Sequence, residues 1–157
     1  MKLRKSLILV MLFAVLSAST GCADQSEVPS PERLQVVNPM KHVESVTQME
    51  DLLDFSVPVL DKPVEKYIVL VINGYPETGR IYYQDGSVFG MKYGQGDISG
   101  IYGGIPEKEP EISGMKVSFF TFEDYRYAIW EMDGFSFSLT GAEQLETEVE
   151  MLIKMLG

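Results

Sequence analysis

The stretch RYAIWEMDGFSFSL, residues 126–139, decides the fold that the sequence predicts. Its centre is Asp133-Gly134. An Asp-Gly pair between two β-rich runs is typical of a tight hairpin, because both turn positions need positive φ. After the turn, residues 135–139 alternate between apolar residues and serine, so one face of this strand is expected to be buried. The stretch therefore predicts two antiparallel strands that share a core face.

Four further segments have the residue pattern of strands. Segment 65–73 (EKYIVLVIN) is β-branched and apolar on both faces, which predicts a central strand, with a buried helix as the weaker alternative. Segments 80–84 and 87–93 flank Asp85-Gly86, the second predicted Asp-Gly hairpin. Segment 115–122 also alternates between apolar and polar residues at its start, as a half-buried strand does.

Helices are predicted on either side of this β-rich region. Thr47-x-x-Glu50 and Thr140-x-x-Glu143 match the capping-box pattern of a helix start. The first helix would be short and end before Pro58. The second has an apolar stripe at 3.6-residue spacing, with glutamates early and a lysine in its last turn, as the helix dipole favours. The stripe consists of Leu145, Val149, Leu152, Ile153 and Leu156.

The predicted order is helix, three strands, a glycine- and proline-rich loop over residues 94–110, three strands, helix. Tight hairpins imply antiparallel pairing. We therefore predict an α+β domain built on a single antiparallel sheet of about six strands in two hairpin-rich halves. The short N-terminal helix and the C-terminal helix are expected to pack on one face of that sheet.

The N-terminus has the layout of a signal peptide. Lys2, Arg4 and Lys5 precede an apolar run over residues 7–16, which is well short of the about 20 residues that a membrane-spanning helix needs. Small residues follow this run. Ser19-Thr20-Gly21-Cys22 resembles the lipobox of bacterial lipoproteins, with Ser19 where leucine is usual. An uncleaved membrane anchor and a soluble secreted protein are the alternative interpretations.

The lipobox resemblance implies cleavage before Cys22 and a diacylglycerol on its sulfur. Two acyl chains anchor a protein stably where one does not. The expected organisation is a signal peptide at 1–21, a lipid-anchored polar tether at 22–37 and a globular domain at 38–157. The tether is proline-rich and so extended. The predicted location is the extracytoplasmic face of the cell membrane, with the membrane as a partner through Cys22.

Composition narrows the possible partners. The chain carries a formal net charge of −10. Removal of the signal peptide, which holds three basic residues and no acidic one, leaves 10 basic against 23 acidic residues and a net charge of −13. This balance argues against nucleic acid as a partner. Because Cys22 is the single cysteine, the chain can form no internal disulfide and no cysteine-based zinc site.

Residues for catalysis are sparse. The single histidine is His42, and assignment of Cys22 to lipid leaves no Cys–His pair. Carboxylates in or beside the predicted loop could in principle hydrolyse glycosides, but nothing singles out a pair, and their spacing matches no EF-hand. We therefore expect no catalytic residue, no metal site and no cofactor. The loop carboxylates are Asp97, Glu107, Glu109 and Glu111.

Aromatic residues are the more promising binding groups. Tyrosine and tryptophan on a sheet face can line a groove, because their bodies are apolar and their tips polar. The alternative is that they form sheet core and cross-strand pairs. We take Tyr93, Tyr102 and Trp130 as candidate ligand-binding residues.

Several short motifs in the domain, taken in order, resemble a known family. They are Asn38-Pro39-Met40, Asp97-Ile98-Ser99-Gly100, Ile112-Ser113-Gly114, Ala128-x-Trp130 and residues 133–139. Their succession resembles uncharacterised secreted or membrane-tethered domains of Gram-positive bacteria, some of them extracytoplasmic tails of anti-sigma-factor-like proteins. The resemblance covers nearly all of residues 38–157, and departs at 101–104, where relatives have Asp-Tyr-Asn. It implies an extracytoplasmic α+β domain and supplies no activity.

Three functions follow as hypotheses. The first is a non-enzymatic, membrane-tethered binding or sensing domain that contacts an envelope protein or glycan through the sheet face and the 94–110 loop. The second is a carrier for lipid or glycan with a pocket between sheet and helices. The third is an envelope hydrolase that uses the loop carboxylates.

Overall fold

One antiparallel sheet and two helices make up the domain. The computed structural model describes residues 38–157; the predicted signal peptide, Cys22 and the predicted tether lie outside the described residues. The strands are β1 (Met40–Val43), β2 (Val64–Ile72), β3 (Tyr75–Tyr83), β4 (Val88–Tyr93), β5 (Ile105–Lys108), β6 (Glu111–Ile112), β7 (Met115–Phe122), β8 (Tyr125–Met132) and β9 (Phe135–Thr140). The helices are α1 (Val46–Leu53) and α2 (Leu145–Leu156). Within this part of the chain, no helix is long and apolar enough to cross a membrane.

The strands are ordered β1-β2-β3-β4-β9-β8-β7-β5, and β6 pairs with β7. The predicted α+β class and antiparallel pairing are confirmed, but the sheet has nine strands rather than about six. The three strands that sequence reasoning missed are β1, β5 and β6, which lie at the periphery of the sheet. They are two to four residues long and mostly exposed. Such strands bury too little to show an apolar alternation, so β5 and β6 were included in or beside the predicted loop.

The tight turns follow the predicted chemistry in one hairpin and depart from it in the other. Asp133 and Gly134 have φ of 51° and 81°, as the β8–β9 hairpin requires. In the β3–β4 hairpin, Gly86 has positive φ and Asp85 does not. Asp85 instead accepts a hydrogen bond from the Ser87 amide at 2.9 Å through its carboxylate. Its role is that of a side-chain turn former.

Neither predicted capping box starts a helix. Helix α1 begins one residue after Ser45, whose hydroxyl accepts a hydrogen bond from the Gln48 amide at 3.2 Å. The Gln48 side chain in turn accepts from the Glu44 amide at 3.1 Å. Thr140 is the last residue of β9, where it pairs with strands on both sides, and α2 begins only at Leu145. Sheet pairing therefore overrides the capping signal at Thr140.

The core fills the space between one sheet face and the helices. The rings of Phe89, Trp130 and Phe137 stack there with centroid separations of 5.5–6.1 Å. Met49 of α1 and Val149 of α2 belong to the same buried cluster. Residues 38–157 form a compact unit with a hydrophobic core of their own, and such a unit is expected to fold independently.

Candidate functional site

The second face of β2 is apolar and is not part of the helix-covered core. Val69 on the core side is fully buried, whereas the alternate residues Ile68, Leu70 and Ile72 lie on the opposite sheet face. Met40 of β1 pairs directly with Leu70 and is 55% exposed. The core covers one face of β2. The other face forms an apolar strip, which consists of Ile68, Leu70 and Ile72.

The segment that follows β4 covers a neighbouring part of this open face. Its anchor is Ile98, which is buried above Gly90. A Cβ at Gly90 would lie only 2.8 Å from Ser138 Oγ, whereas its 3.5 Å distance from Ile98 Cδ1 would be an ordinary contact, so glycine here makes room for Ser138. The Asp97 carboxylate accepts a hydrogen bond from the Ser99 amide at 2.8 Å, and this turn shapes the segment.

A cleft of about 380 Å³ lies between this segment and the strip on β1 to β3. Its apolar side is formed by Met40, Ile68, Leu70, Ile72 and Ile98. Its charged side chains are Glu77, Arg80, Lys92 and Asp97, with Thr78 and two tyrosines among the remaining lining residues. A concave site with an apolar wall and a few polar groups is the usual form of a small-molecule site.

Arg80 is held in the cleft by two neighbouring strands and by the segment after β4. It pairs with Ile68 on one side and with Gly90 on the other. One Nη donates a hydrogen bond to the Ile98 carbonyl at 3.3 Å. Gly100, at a φ of 77°, lets the backbone approach, since a Cβ there would lie 3.3 Å from Nη2. Within residues 38–157, Arg80 forms no ion pair.

The structure separates the three predicted aromatic site residues. Tyr102 is 90% exposed and lines the cleft. Tyr93 is 76% exposed but lies beside a different, small cavity, where its ring meets Phe135 edge-to-face at 5.4 Å.

Trp130 was predicted as a ligand-binding residue, but the structure places it in the core. It is 2% exposed and stacks within the helix-covered core, so its side chain is unavailable to a ligand at the surface. Its indole N–H is buried without a hydrogen-bond partner among the described residues. The same core fills the space where a pocket between sheet and helices was expected, and the cleft lies on the opposite sheet face.

The loop carboxylates are held by separate partners. Arg126 Nη2 lies 2.9 Å from Glu107, and hydrogen bonds from Arg126 and Thr121 lower the pKa of Glu107. Lys116 Nζ lies 2.7 Å from Glu109, and hydrogen bonds from Lys116 and Ser118 lower the pKa of Glu109. Both groups are therefore ionised at neutral pH. A general acid needs a raised pKa instead.

Two other predictions concern metal binding and the single histidine. In the part of the chain from 38 to 157, no group of three histidine, cysteine or acidic side chains could hold a metal ion. His42 lies exposed on β1.

Sequence reasoning missed Arg80 and the apolar strip. The available signal was segment 65–73, whose two apolar faces both require cover. Two helices predicted on one face leave the other face of that strand unexplained. The sequence around Arg80 does not distinguish it as a binding residue, because Ile98 and Gly100, which form its environment, belong to a later segment of the chain.

Comparisons with protein-family models, with curated proteins and with solved structures found no match.

Proposed function

We propose that this protein is a non-enzymatic binding or sensing domain, held at the extracytoplasmic face of the cell membrane through Cys22. Its ligand occupies the cleft between the Asp97–Tyr102 segment and the open face of β1 to β3. The observation that carries the proposal is the apolar strip of β2, which is left without helix cover beside a positioned arginine.

Exposed apolar surface supports a binding role for the cleft. Met40, Ile72 and Tyr102 on its lining are 55%, 39% and 90% exposed. Scattered apolar residues are ordinary on protein surfaces, but a set gathered in one concave site with polar groups is typical of a ligand site. Burial of these side chains by a ligand would contribute roughly 25 cal/mol for each Å² of apolar surface removed from water.

The non-enzymatic part of the proposal rests on the side chains in the cleft. They include no histidine and no cysteine. Asp97, the one loop carboxylate among them, is engaged with the Ser99 amide in a turn. Glu107 and Glu109 are held in ion pairs elsewhere, so the geometry gives no support to the hydrolase hypothesis.

Membrane tethering is supported by the lipobox pattern at residues 19–22. The Pro39 carbonyl accepts a hydrogen bond from the Val71 amide at 2.8 Å, and Met40 already lines the cleft. The described chain therefore enters the domain beside the proposed site. The resemblance to secreted or tethered Gram-positive domains also favours an extracytoplasmic location.

A lipid or glycan carrier is the second candidate. The apolar side of the cleft favours it, because an acyl chain needs such a surface. The ligand of such a carrier would occupy the cleft on the open sheet face, not a pocket between the sheet and the helices. Native mass spectrometry of protein purified from membranes would reveal a co-purifying lipid.

Cross-linking in cells tests the first candidate. A photoreactive amino acid replaces Tyr102 at the cleft, and in a matched control it replaces Tyr125, which is 60% exposed and outside the cleft lining. We expect a defined adduct from position 102 that is absent from position 125 and diminished by Cys22→Ala. Equal adducts from both positions, or none from position 102, would contradict the proposal.

A further inference from the structure

Resting on the proposed function, we infer that the cleft binds a single-chain anionic amphiphile, whose carboxylate or phosphate head pairs with Arg80 and whose apolar chain lies along β2. The class of ligand follows from three features. These are the arginine without an ion-pair partner, the strip beside it and the size of the cleft.

Arg80 supplies the recognition of the anion. A guanidinium has five N–H donors, and the described residues provide one acceptor, the Ile98 carbonyl, at the long distance of 3.3 Å. The side chain is half-buried between Gly90, Ile98 and Gly100. Its orientation is therefore constrained before any ligand arrives. A planar, oriented guanidinium is suited to bidentate contact with a carboxylate or a phosphate.

Lys92 adds a second cation to the same cleft, on the strand that pairs with β3. Among residues 38–157, Lys92 forms no ion pair. The cleft also contains two carboxylates, those of Asp97 and Glu77. Asp97 is exposed and engaged in its turn, and Glu77 lies at the irregularity where the β2–β3 register shifts. Arg80 and Lys92 are therefore the two cations that the cleft offers to an anionic ligand.

The apolar strip starts at the arginine. Ile68 is the direct cross-strand neighbour of Arg80, and the strip continues through Leu70 to Ile72 at the hairpin end. Alternate residues of a strand repeat every 6.5 to 7 Å, so the strip is about 13 Å long. Because Ile68 is only 8% exposed, the chain of a ligand with its anionic head at Arg80 would lie mainly against Leu70, Ile72 and Met40. A cleft of about 380 Å³ has room for one such chain.

Methyl NMR on residues 38–157 tests this inference with four single-chain probes below their micelle concentrations. Dodecanoate and dodecyl phosphate carry the anion, dodecyl maltoside is neutral, and dodecyltrimethylammonium is cationic. We expect saturable shifts of the Ile68, Leu70 and Ile72 methyl groups with both anions. The neutral and cationic probes are expected to bind about tenfold more weakly or worse, since a charge-assisted bidentate contact contributes at least that factor. A difference between the two anions would tell a carboxylate ligand from a phosphate ligand.

Variants separate recognition by Arg80 from general hydrophobic binding. Arg80→Met is expected to lose about tenfold or more of the affinity for the anions, and Arg80→Lys to retain part of it. Lys154→Met removes one positive charge from an exposed position on α2 and should bind as the unchanged protein does. The methyl spectrum of each variant verifies that it is folded.

Three results would overturn the inference. They are equal affinity for the maltoside and the anions, unchanged anion affinity in Arg80→Met, and no shift at the strip with any probe. Each of these results is compatible with an adduct at position 102, because the cleft could then bind a different ligand. The failure of the amphiphile is therefore distinguishable from failure of the proposed function.

Discussion

The ammonium of Lys62 lies 2.6 Å from a carboxylate oxygen of Glu148, across 86 positions of sequence. The same nitrogen donates to the Asp85 carboxylate at 2.9 Å and to the Ser87 hydroxyl at 2.7 Å. One side chain therefore links three parts of the domain. These parts are the segment before β2, the β3–β4 hairpin and helix α2. Lys62 and Glu148 are 16% and 17% exposed at their side chains, so the link is mostly shielded from water.

Lys62→Met should lower the free energy of unfolding by about 2 kcal/mol, because it removes the cation from the shielded Glu148 carboxylate and from the more exposed Asp85. Urea denaturation measures the change. The control is Lys154→Met, which breaks the exposed pair of Lys154 with Glu150 and should cost less than about 0.5 kcal/mol. Equal effects of the two variants would mean that the Lys62 network contributes no more than a surface ion pair.

The stability of the domain should fall as the pH is lowered from about 5 to about 2. Burial alone would raise the pKa of Asp85, but hydrogen bonds from Ser87 and Lys62 outweigh it and lower the pKa to about 2. Hydrogen bonds from Arg126 and Lys108 lower the pKa of Glu146 to about 2. Since the pKa values in an unfolded chain are about 4, the stabilisation is complete above that pH and is lost as the pH falls through the folded pKa values.

Urea midpoints measured from pH 7 to pH 2 test this dependence. Asp85→Asn removes one of the two carboxyls, so the decline between pH 5 and pH 2 should become shallower. Asp51→Asn, a change at an exposed position on α1, is the control and should leave the slope as it is. A slope that is the same in all three proteins would contradict the role of Asp85.

The aromatic residues should divide into one core residue and two surface residues. Trp130→Ala should cost about 3–5 kcal/mol, because it leaves a cavity beside Phe89 and Phe137. Tyr102→Ser should change stability by less than about 0.5 kcal/mol, since the side chain is 90% exposed. Tyr93→Ser should cost about 1 kcal/mol through loss of its edge-to-face contact with Phe135. Thermal unfolding followed by circular dichroism ranks the three, and a Tyr102 variant as unstable as the Trp130 variant would refute the division.

Gly104→Ala should destabilise the domain by about 1–3 kcal/mol, as overpacking does. A Cβ at this position would overlap the hydroxyl and ring of Tyr127, which is buried. Either the backbone at residue 104 or the Tyr127 ring would therefore have to move. The double variant with Tyr127→Leu removes the ring and should be less destabilised than the sum of the single changes. Strict additivity in chemical denaturation would show that the two residues do not meet.

Local sequence chemistry determined most of the secondary structure. The apolar segment 65–73, the Asp-Gly pairs and the alternation of residues 135–139 all lie within strands or turns of the structure. The apolar stripe at Leu145 to Leu156 forms α2, with four of its members buried. These signals work because each depends on residues close together in the chain. The short peripheral strands and the helix starts were not predicted. Pairing of Thr140 with β4 and β8 delays the start of α2, whereas α1 starts at a local cap formed by Ser45 and Gln48 that the capping-box interpretation at Thr47 overlooked.

The sequence by itself determined an acidic α+β domain with an antiparallel sheet, and it predicted a lipid-anchored N-terminus, which lies outside the described residues. Only the tertiary structure decided which surfaces remain open. Trp130 on β8 and Tyr93 on β4 are both aromatic residues of predicted strands, yet one lies in the core and the other is 76% exposed. Arg80 likewise gains its place from Ile98 and Gly100, which are about 20 positions later in the chain. The physical reason is that burial depends on what packs against a residue, and that partner comes from elsewhere in the chain.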